Sequence, residues 1–423
     1  MASMQLRYRI NDEMFTWSSM ALVMALLEGS VIGVLIKNGF DGQVETWLLN
    51  LSVALATGAP YFSNLLSVFW VKLSHGRSKA ELVSNLAVIC CLTAFGISFV
   101  KFDPQGLLIL LLLYVSSRIS WSGILTIRST IWRSNYPRHI RGKVAARLAT
   151  MASLLMSVTA LLVGWLMDWH FKSFQWVYIG FALITLMGAY RYRFLSVRHQ
   201  VKHIGREKSE TRQPGISRMF AILNENKPFG KYMLAMFLLG SGNLMFMAPL
   251  IVYINEHTQL MKSSQIVITT VIPLGLIPLA VGWWARLLDG NHIFHFRSLH
   301  GWVFVASVMV FLAACVLQIN YLFYVGAALY GFALSGGVIG WNLGHNDFVG
   351  NANPMEYMAV HVTLTGIRGL LMPLIGVGFY QWLQSIDGEL SQYALLLPLS
   401  LTMIGASLFV WYNRQRLAGK LNS

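Results

Sequence analysis

Charge is what this sequence has little of. Only 17 of 423 residues are Asp or Glu and only 12% are charged, against 56% hydrophobic residues and a mean hydropathy of +0.56. A chain this poor in charge cannot hide its apolar surface in one water-soluble core, so its solvent is lipid. Cysteine is equally sparse. Cys90, Cys91 and Cys315 all fall in apolar stretches, where they read as small hydrophobes, and no disulfide framework is implied. Catalytic signatures are missing too: there is no Ser-His-Asp logic, no H-x-x-x-x-D pairing, no HExxH and no G-x-x-x-x-G-K-[ST]. Those absences argue against an enzyme and an ATP motor.

What is abundant is long hydrophobic runs. Crossing the hydrocarbon takes about 20 apolar residues, and twelve such stretches begin near residues 15, 46, 80, 105, 146, 174, 231, 264, 299, 320, 357 and 390. The first follows a short polar head, Met1 to Glu13, and lacks a small-residue cleavage site, so it is expected to be retained. The longest polar stretch, 196–230, divides the chain into bundles of six spans at 1–195 and 231–423. The other loops leave no room for a soluble domain.

The net charge of +15 follows topology rather than nucleic acid. With the amino terminus placed in the cytosol, alternate loops carry 26 Lys and Arg inside and four outside, which puts both termini in the cytosol. The compact loops point to a bacterial inner membrane. His292, His295 and His300 lack ligand-spaced partners beyond Asp289, so no metal site is expected, and no cofactor either.

The halves also repeat each other. Trp70-Val71-Lys72-Leu73-Ser74-His75-Gly76 recurs as Trp284-Ala285-Arg286-Leu287-Leu288-Asp289-Gly290, an offset of 214 residues, and the same offset pairs Val144 to Arg147 with Met358 to His361. Internal duplication is how many transporters place a site between moving halves. Twelve spans in two sixes, a basic central loop and the basic Gly76-Arg77 turn after the second span resemble the major facilitator superfamily. That resemblance implies an all-α membrane fold of two pseudo-symmetric six-helix bundles, alternating access, and a cytosolic gate at the turns holding Lys72, Gly76, Arg77, Arg286, Asp289, Gly290 and Asp347. Leu73 stands where the family's turn carries Asp, and the fifth span lacks the family's antiporter signature.

Three charges stand inside apolar runs: Glu28, Arg118 and Arg368. A charge at mid-helix costs about 2.5–3.5 kcal/mol on insertion scales, so these three are functional candidates. Glu28 and Arg118 fall at similar depth, which predicts that they interact. Burial favours the protonated carboxyl while a nearby cation favours the charged one, making the pair a proton-coupling candidate. Arg368 shares a helical face with His361 and Thr365. Two deep arginines predict an anionic group on the substrate. Trp121, Asn243 and Asn342 complete the expected binding set, with Trp17, Met20 and Met24 on the Glu28 face.

The expectation is therefore a secondary transporter, working as a monomer in the bilayer and moving a small anionic organic solute with protons. The alternatives are an efflux pump for amphipathic compounds, a membrane sensor without turnover, or a membrane enzyme.

Overall fold

The computed structural model describes residues 4–209, 216–350 and 354–420, and among these every regular element is helical. Twelve helical segments are long and apolar enough to span a membrane: Leu6–Gly39, Thr46–Ser74, Lys79–Ile97, Pro104–Asn135, Lys143–Trp169 and Phe171–Tyr192 in the first half, and Lys227–His257, Lys262–Asp289, Ile293–Leu317, Asn320–Phe348, Glu356–Ile386 and Gly388–Leu417 in the second. They are called spans 1 to 12 below. All twelve expected spans are present. Span starts carry local signals: Asp103 accepts the Gly106 N–H at 2.6 Å ahead of Pro104, and Asn226 accepts the Phe229 N–H at 3.0 Å ahead of Pro228.

Outward faces are apolar. Leu92, Phe99, Leu108, Leu112, Val158, Met187 and Leu279 are all more than half exposed, a surface that a chain in water would bury. Trp169, Trp176 and Trp382, also exposed, lie near span ends in the manner of interfacial aromatic belts.

The sequence repeat is a structural repeat. Gly123 in span 4 lies against Trp70 and Leu86, and Gly336 in span 10 lies against Trp284 and His300. The offset of 214 carries Trp70 to Trp284 and Leu86 to His300, so both halves seat the same indole against a span with no side chain at that point.

The linker adds two helices, Gln200–Ser209 and Ile216–Glu225. The first docks on the turn after span 2, where Glu207 accepts the Gly76 N–H at 2.8 Å and meets Lys79 Nζ at 2.7 Å. Gly76 has φ +67°, the left-handed conformation that favours glycine. Burial pushes the Glu207 carboxyl up, but Lys79 and the Gly76 amide outweigh it and hold the group below the usual glutamate range.

Both halves meet along spans 2 and 11 and along spans 5 and 8. A Cβ on Gly58 would lie 2.4 Å from the Gly369 carbonyl oxygen, and one on Gly164 would lie 2.8 Å from Ser263 Cα, so these helices approach to backbone distance. At the end away from both termini, called the far end, the Asp168 carboxylate accepts the Lys262 and Ser263 N–H groups at 2.7 and 3.0 Å, and Gln381 Nε2 donates to the Trp47 carbonyl at 3.0 Å.

Candidate substrate and coupling site

Span 1 is two helices, Met4–Leu26 and Gly29–Gly39, and Glu28 sits in the break between them with extended backbone (φ −67°, ψ 135°). Gly29 lets the second piece start against span 2, since a Cβ there would lie 2.7 Å from the Ala56 carbonyl oxygen. Span 7, its counterpart, is likewise interrupted, at Phe246 between Lys227–Met245 and Met247–His257. Interrupted helices at membrane depth free backbone groups for a site and persist where protein or a cavity surrounds them.

Arg118 of span 4 is buried, and its Nη1 donates to the Leu27 carbonyl at the break, at 3.3 Å. It acts electrostatically on Glu28. No contact within 4.0 Å joins the two side chains, so Glu28 and Arg118 act on each other through space, and Arg118 Nε has no hydrogen-bond partner. The physical reason for the separation is the break itself, which exposes a carbonyl that a regular helix would have occupied and so gives the guanidinium an acceptor.

Between the halves lies a cavity of about 60 Å³. Its lining includes Glu28, Ser30, Thr57 and Tyr61 from the first half, and Asn243, Thr269, Thr270 and Tyr330 from the second. Asn243 Oδ1 and Thr270 Oγ1 are buried without a hydrogen-bond partner. Thr269 and Thr270 lie in a turn of π-helix, Val267–Val271, immediately before Pro273. Such turns redirect side chains and recur at functional positions. The volume fits a few waters rather than an organic solute, so this conformation is constricted at the site.

Of the expected binding residues, Asn243 joins Glu28 at this cavity. Arg118, Trp121, Asn342, His361, Thr365 and Arg368 are not among its lining residues. Trp121 stacks on Trp17 at 5.0 Å between ring centroids. Asn342 is exposed and bonds the Val338 carbonyl of its own helix. Arg368, buried, donates from Nη1 to the Met236 carbonyl and from Nη2 to Thr365 Oγ1 at 2.8 Å, in space that Gly240 leaves open. His361 is fully buried beside Trp341 and Tyr232.

The expected gate residues also separate. Gly76 holds the linker helix, while Lys72, Arg77, Arg286, Asp289 and Gly290 are exposed. Asp347 accepts the Ile293 N–H at 2.7 Å and so caps span 9 inside its own half.

Other buried charges were expected at surfaces or in loops instead. Glu13 is fully buried and receives Arg128 Nε at 3.0 Å, Trp132 Nε1 and the Tyr136 hydroxyl. Lys37, 1% exposed, crosses between the halves at the far end: its Nζ lies 2.5 Å from Glu256 Oε1 and 2.6 Å from Asn50 Oδ1. Tyr380 and Gln384 hold the other oxygen of Glu256, at 2.6 and 3.1 Å. Arg297 is also buried. Lys37 and Glu256 are 219 residues apart, and their one sequence signal is that each closes a long apolar run.

The model of the Major Facilitator Superfamily matches residues 18–342. This chain belongs to that superfamily. It is an integral membrane transporter, not an enzyme. Among solved structures the fold is similar to a D-xylose–proton symporter (TM-score 0.72, 11% identity, 95% of this chain and 96% of that one). It is also similar to a variant of the nucleoside transporter NupG (0.70, 13%, 96% and 99%). A third similar fold is a bacterial homolog of the human lysosomal transporter Spinster in an inward-facing, occupied state (0.67, 11%, 100% of both chains). At these identities the likeness is one of fold. No curated protein matches the chain in sequence.

Proposed function

We propose that this transporter carries a small, uncharged, hydrogen-bonding solute through the cavity between its halves by alternating access, and that Glu28 exchanges the coupling proton. One observation carries the reading: the cavity holds a carboxylate together with two unpartnered buried oxygens, Asn243 Oδ1 and Thr270 Oγ1, and no arginine lines it. The Asn243 amide oxygen accepts and the Thr270 hydroxyl both accepts and donates, so both call for hydrogen-bonding groups on the ligand, and buried polar groups without partners are costly until such a ligand arrives. An anionic solute would face the Glu28 carboxylate. A hydroxyl-rich ring bounded by Tyr61 and Tyr330 suits the lining, in keeping with the sugar and nucleoside named for two of the similar folds.

In this reading the far end is extracellular and closed, both termini are cytosolic in a bacterial inner membrane, and one chain is the working unit because it supplies both walls of the site. Arg118 grips the break beside Glu28, so a proton on Glu28 removes the negative charge facing that guanidinium and frees the two pieces of span 1 to move against each other. Opening outward requires the Lys37–Glu256 contact to part.

The test is uptake of D-xylose and of nucleosides into proteoliposomes under an imposed pH gradient. Uptake above gradient-free exchange is expected for the parent, with Glu28→Gln retaining substrate binding and counterflow but losing the gradient-driven component. Gradient-driven uptake unchanged in Glu28→Gln refutes the coupling role, and uptake of organic anions in place of both solutes refutes the substrate class.

A further inference from the structure

The second half contains a buried basic cluster that the central cavity does not use. Arg297 of span 9 is 2% exposed; its Nη1 donates to His300 Nδ1 at 3.2 Å, and His300 Nε2 in turn donates to the Ala333 carbonyl at 2.8 Å. Because a guanidinium only donates, these contacts fix the His300 tautomer and leave it no further donor. Apart from the Tyr232 hydroxyl, Arg297 Nε and Nη2 meet no hydrogen-bond partner.

Around it, His345 Nδ1 from span 10 and Arg368 Nε with both ring nitrogens of His361 from span 11 are also buried and unpartnered, and the buried Tyr232 of span 7 turns its hydroxyl to Arg297. These groups converge. Arg297, Arg368 and His345 all act electrostatically on His361, and Arg297 and Arg368 act on Tyr232. The Tyr232 and His361 rings are 6.4 Å apart. The Arg297 and Tyr232 side chains pack directly on glycines of span 10: a Cβ on Gly340 would lie 2.8 Å from Arg297 Nη2, and one on Gly344 would lie 2.6 Å from Tyr232 Oη.

Two guanidinium groups are charged at any physiological pH. Among the described residues no carboxylate comes within 4.0 Å of either. The acid that acts on the cluster, Asp347, is held by the Ile293 amide. An isolated buried cation is severely penalised unless a counter-charge joins it. We infer that this cluster is a binding site for one small anion, enclosed within the second half between spans 7, 9, 10 and 11. The donors left over, the Nε–Nη2 edge of Arg297 and Arg368 Nε with a phenol and imidazoles, fit either an inorganic anion or the acidic group of a small solute. The site is separate from Glu28, and the inference holds whatever solute crosses the central cavity.

The test uses the full chain in detergent, in a buffer whose anion is a bulky sulfonate, at constant ionic strength. Chloride, phosphate and acetate are each exchanged in while the thermal midpoint is followed, because a ligand that favours the folded state raises the midpoint saturably. A saturable rise of several degrees with chloride or phosphate identifies an inorganic anion, and a rise confined to acetate identifies an acidic solute group. The rise should vanish in Arg297→Gln and Arg368→Gln, weaken about tenfold in half-saturating concentration in Arg297→Lys, and persist in Glu28→Gln. Midpoints that do not respond to any of the three anions overturn the inference. So does a response of parental size in the arginine variants. If the glutamine variants do not fold, Arg297→Lys and His361→Asn decide: an anion response equal to the parent in both overturns it.

Discussion

Each half of the molecule buries arginine; Arg118 in the first takes a backbone carbonyl, and the contrast lies between Arg128 and the second-half pair Arg297 and Arg368. In the first half Arg128 lies against Glu13, with its guanidinium 3.2 Å from the centroid of Trp17 and 4.3 Å from that of Trp132. In the second, Arg297 and Arg368 spend their donors on a histidine, a threonine and a backbone carbonyl, with no carboxylate within 4.0 Å among the described residues. A buried cation beside a fully hydrogen-bonded acid is a structural joint, whereas a pair of cations without one lacks an internal counter-charge. The difference teaches that duplication conserved the helical scaffold and its Trp-on-glycine contacts while the interior electrostatics of the halves diverged.

The largest effect comes from breaking the first-half joint. Glu13→Ala leaves Arg128 buried and unpaired, which costs about 3–5 kcal/mol, and is read as a lower thermal midpoint. Glu13→Leu with Arg128→Met restores most of it, since replacing both partners removes the stranded charge. The second half sharpens the contrast: in buffer free of small anions Arg297→Met should leave the midpoint unchanged or raise it. A loss as large as that of Glu13→Ala would show that the second-half arginines are paid for within the protein.

An intermediate effect is expected at the far end. Lys37→Met or Glu256→Gln removes one side of the ion pair that joins the halves, and spin labels on either side of that end should report a population shifted toward wider separation. Lys37→Glu with Glu256→Lys should return the distribution toward the parent. Unchanged distances in both single variants would remove the pair from the gate.

The smallest effect is at the linker. The Glu207 carboxyl is held below its ordinary range in the folded chain, so its contact contributes stability above the unfolded value and loses it as pH falls through the depressed one. Docking of the helix Gln200–Ser209 should therefore persist at neutral pH and loosen only in acid, below the usual glutamate range. Glu207→Gln should abolish that acid transition in amide exchange of the Gly76 turn, with little change in the midpoint because such partly exposed pairs contribute about 1 kcal/mol or less.

Much was readable in advance. Span positions follow from apolar runs because lipid leaves a backbone no option but internal hydrogen bonding. The 214-residue repeat located Trp70 and Trp284, which pack alike. Glu28 and Asn243, which stand out because a polar group in an apolar run needs a reason, both line the central cavity. The break at Glu28 was not readable: Leu26-Leu27-Glu28-Gly29 contains one helix breaker, and only the approach of Gly29 to Ala56 shows why the helix stops. Lys37, Arg128 and Arg297 read as loop charge because they stand near span ends, and burial there depends on neighbours far along the chain.

Composition and periodicity alone determined that this protein lives in lipid as twelve helices in two repeated sets, because hydrophobic length and repeat offset are properties of a linear string. Which charges meet was decided by the tertiary structure. Lys37 reaches Glu256, Arg118 takes a carbonyl in place of Glu28, and Arg297 and Arg368 converge without an acid, because pairing depends on distances of a few ångströms between helices that the chain order leaves open.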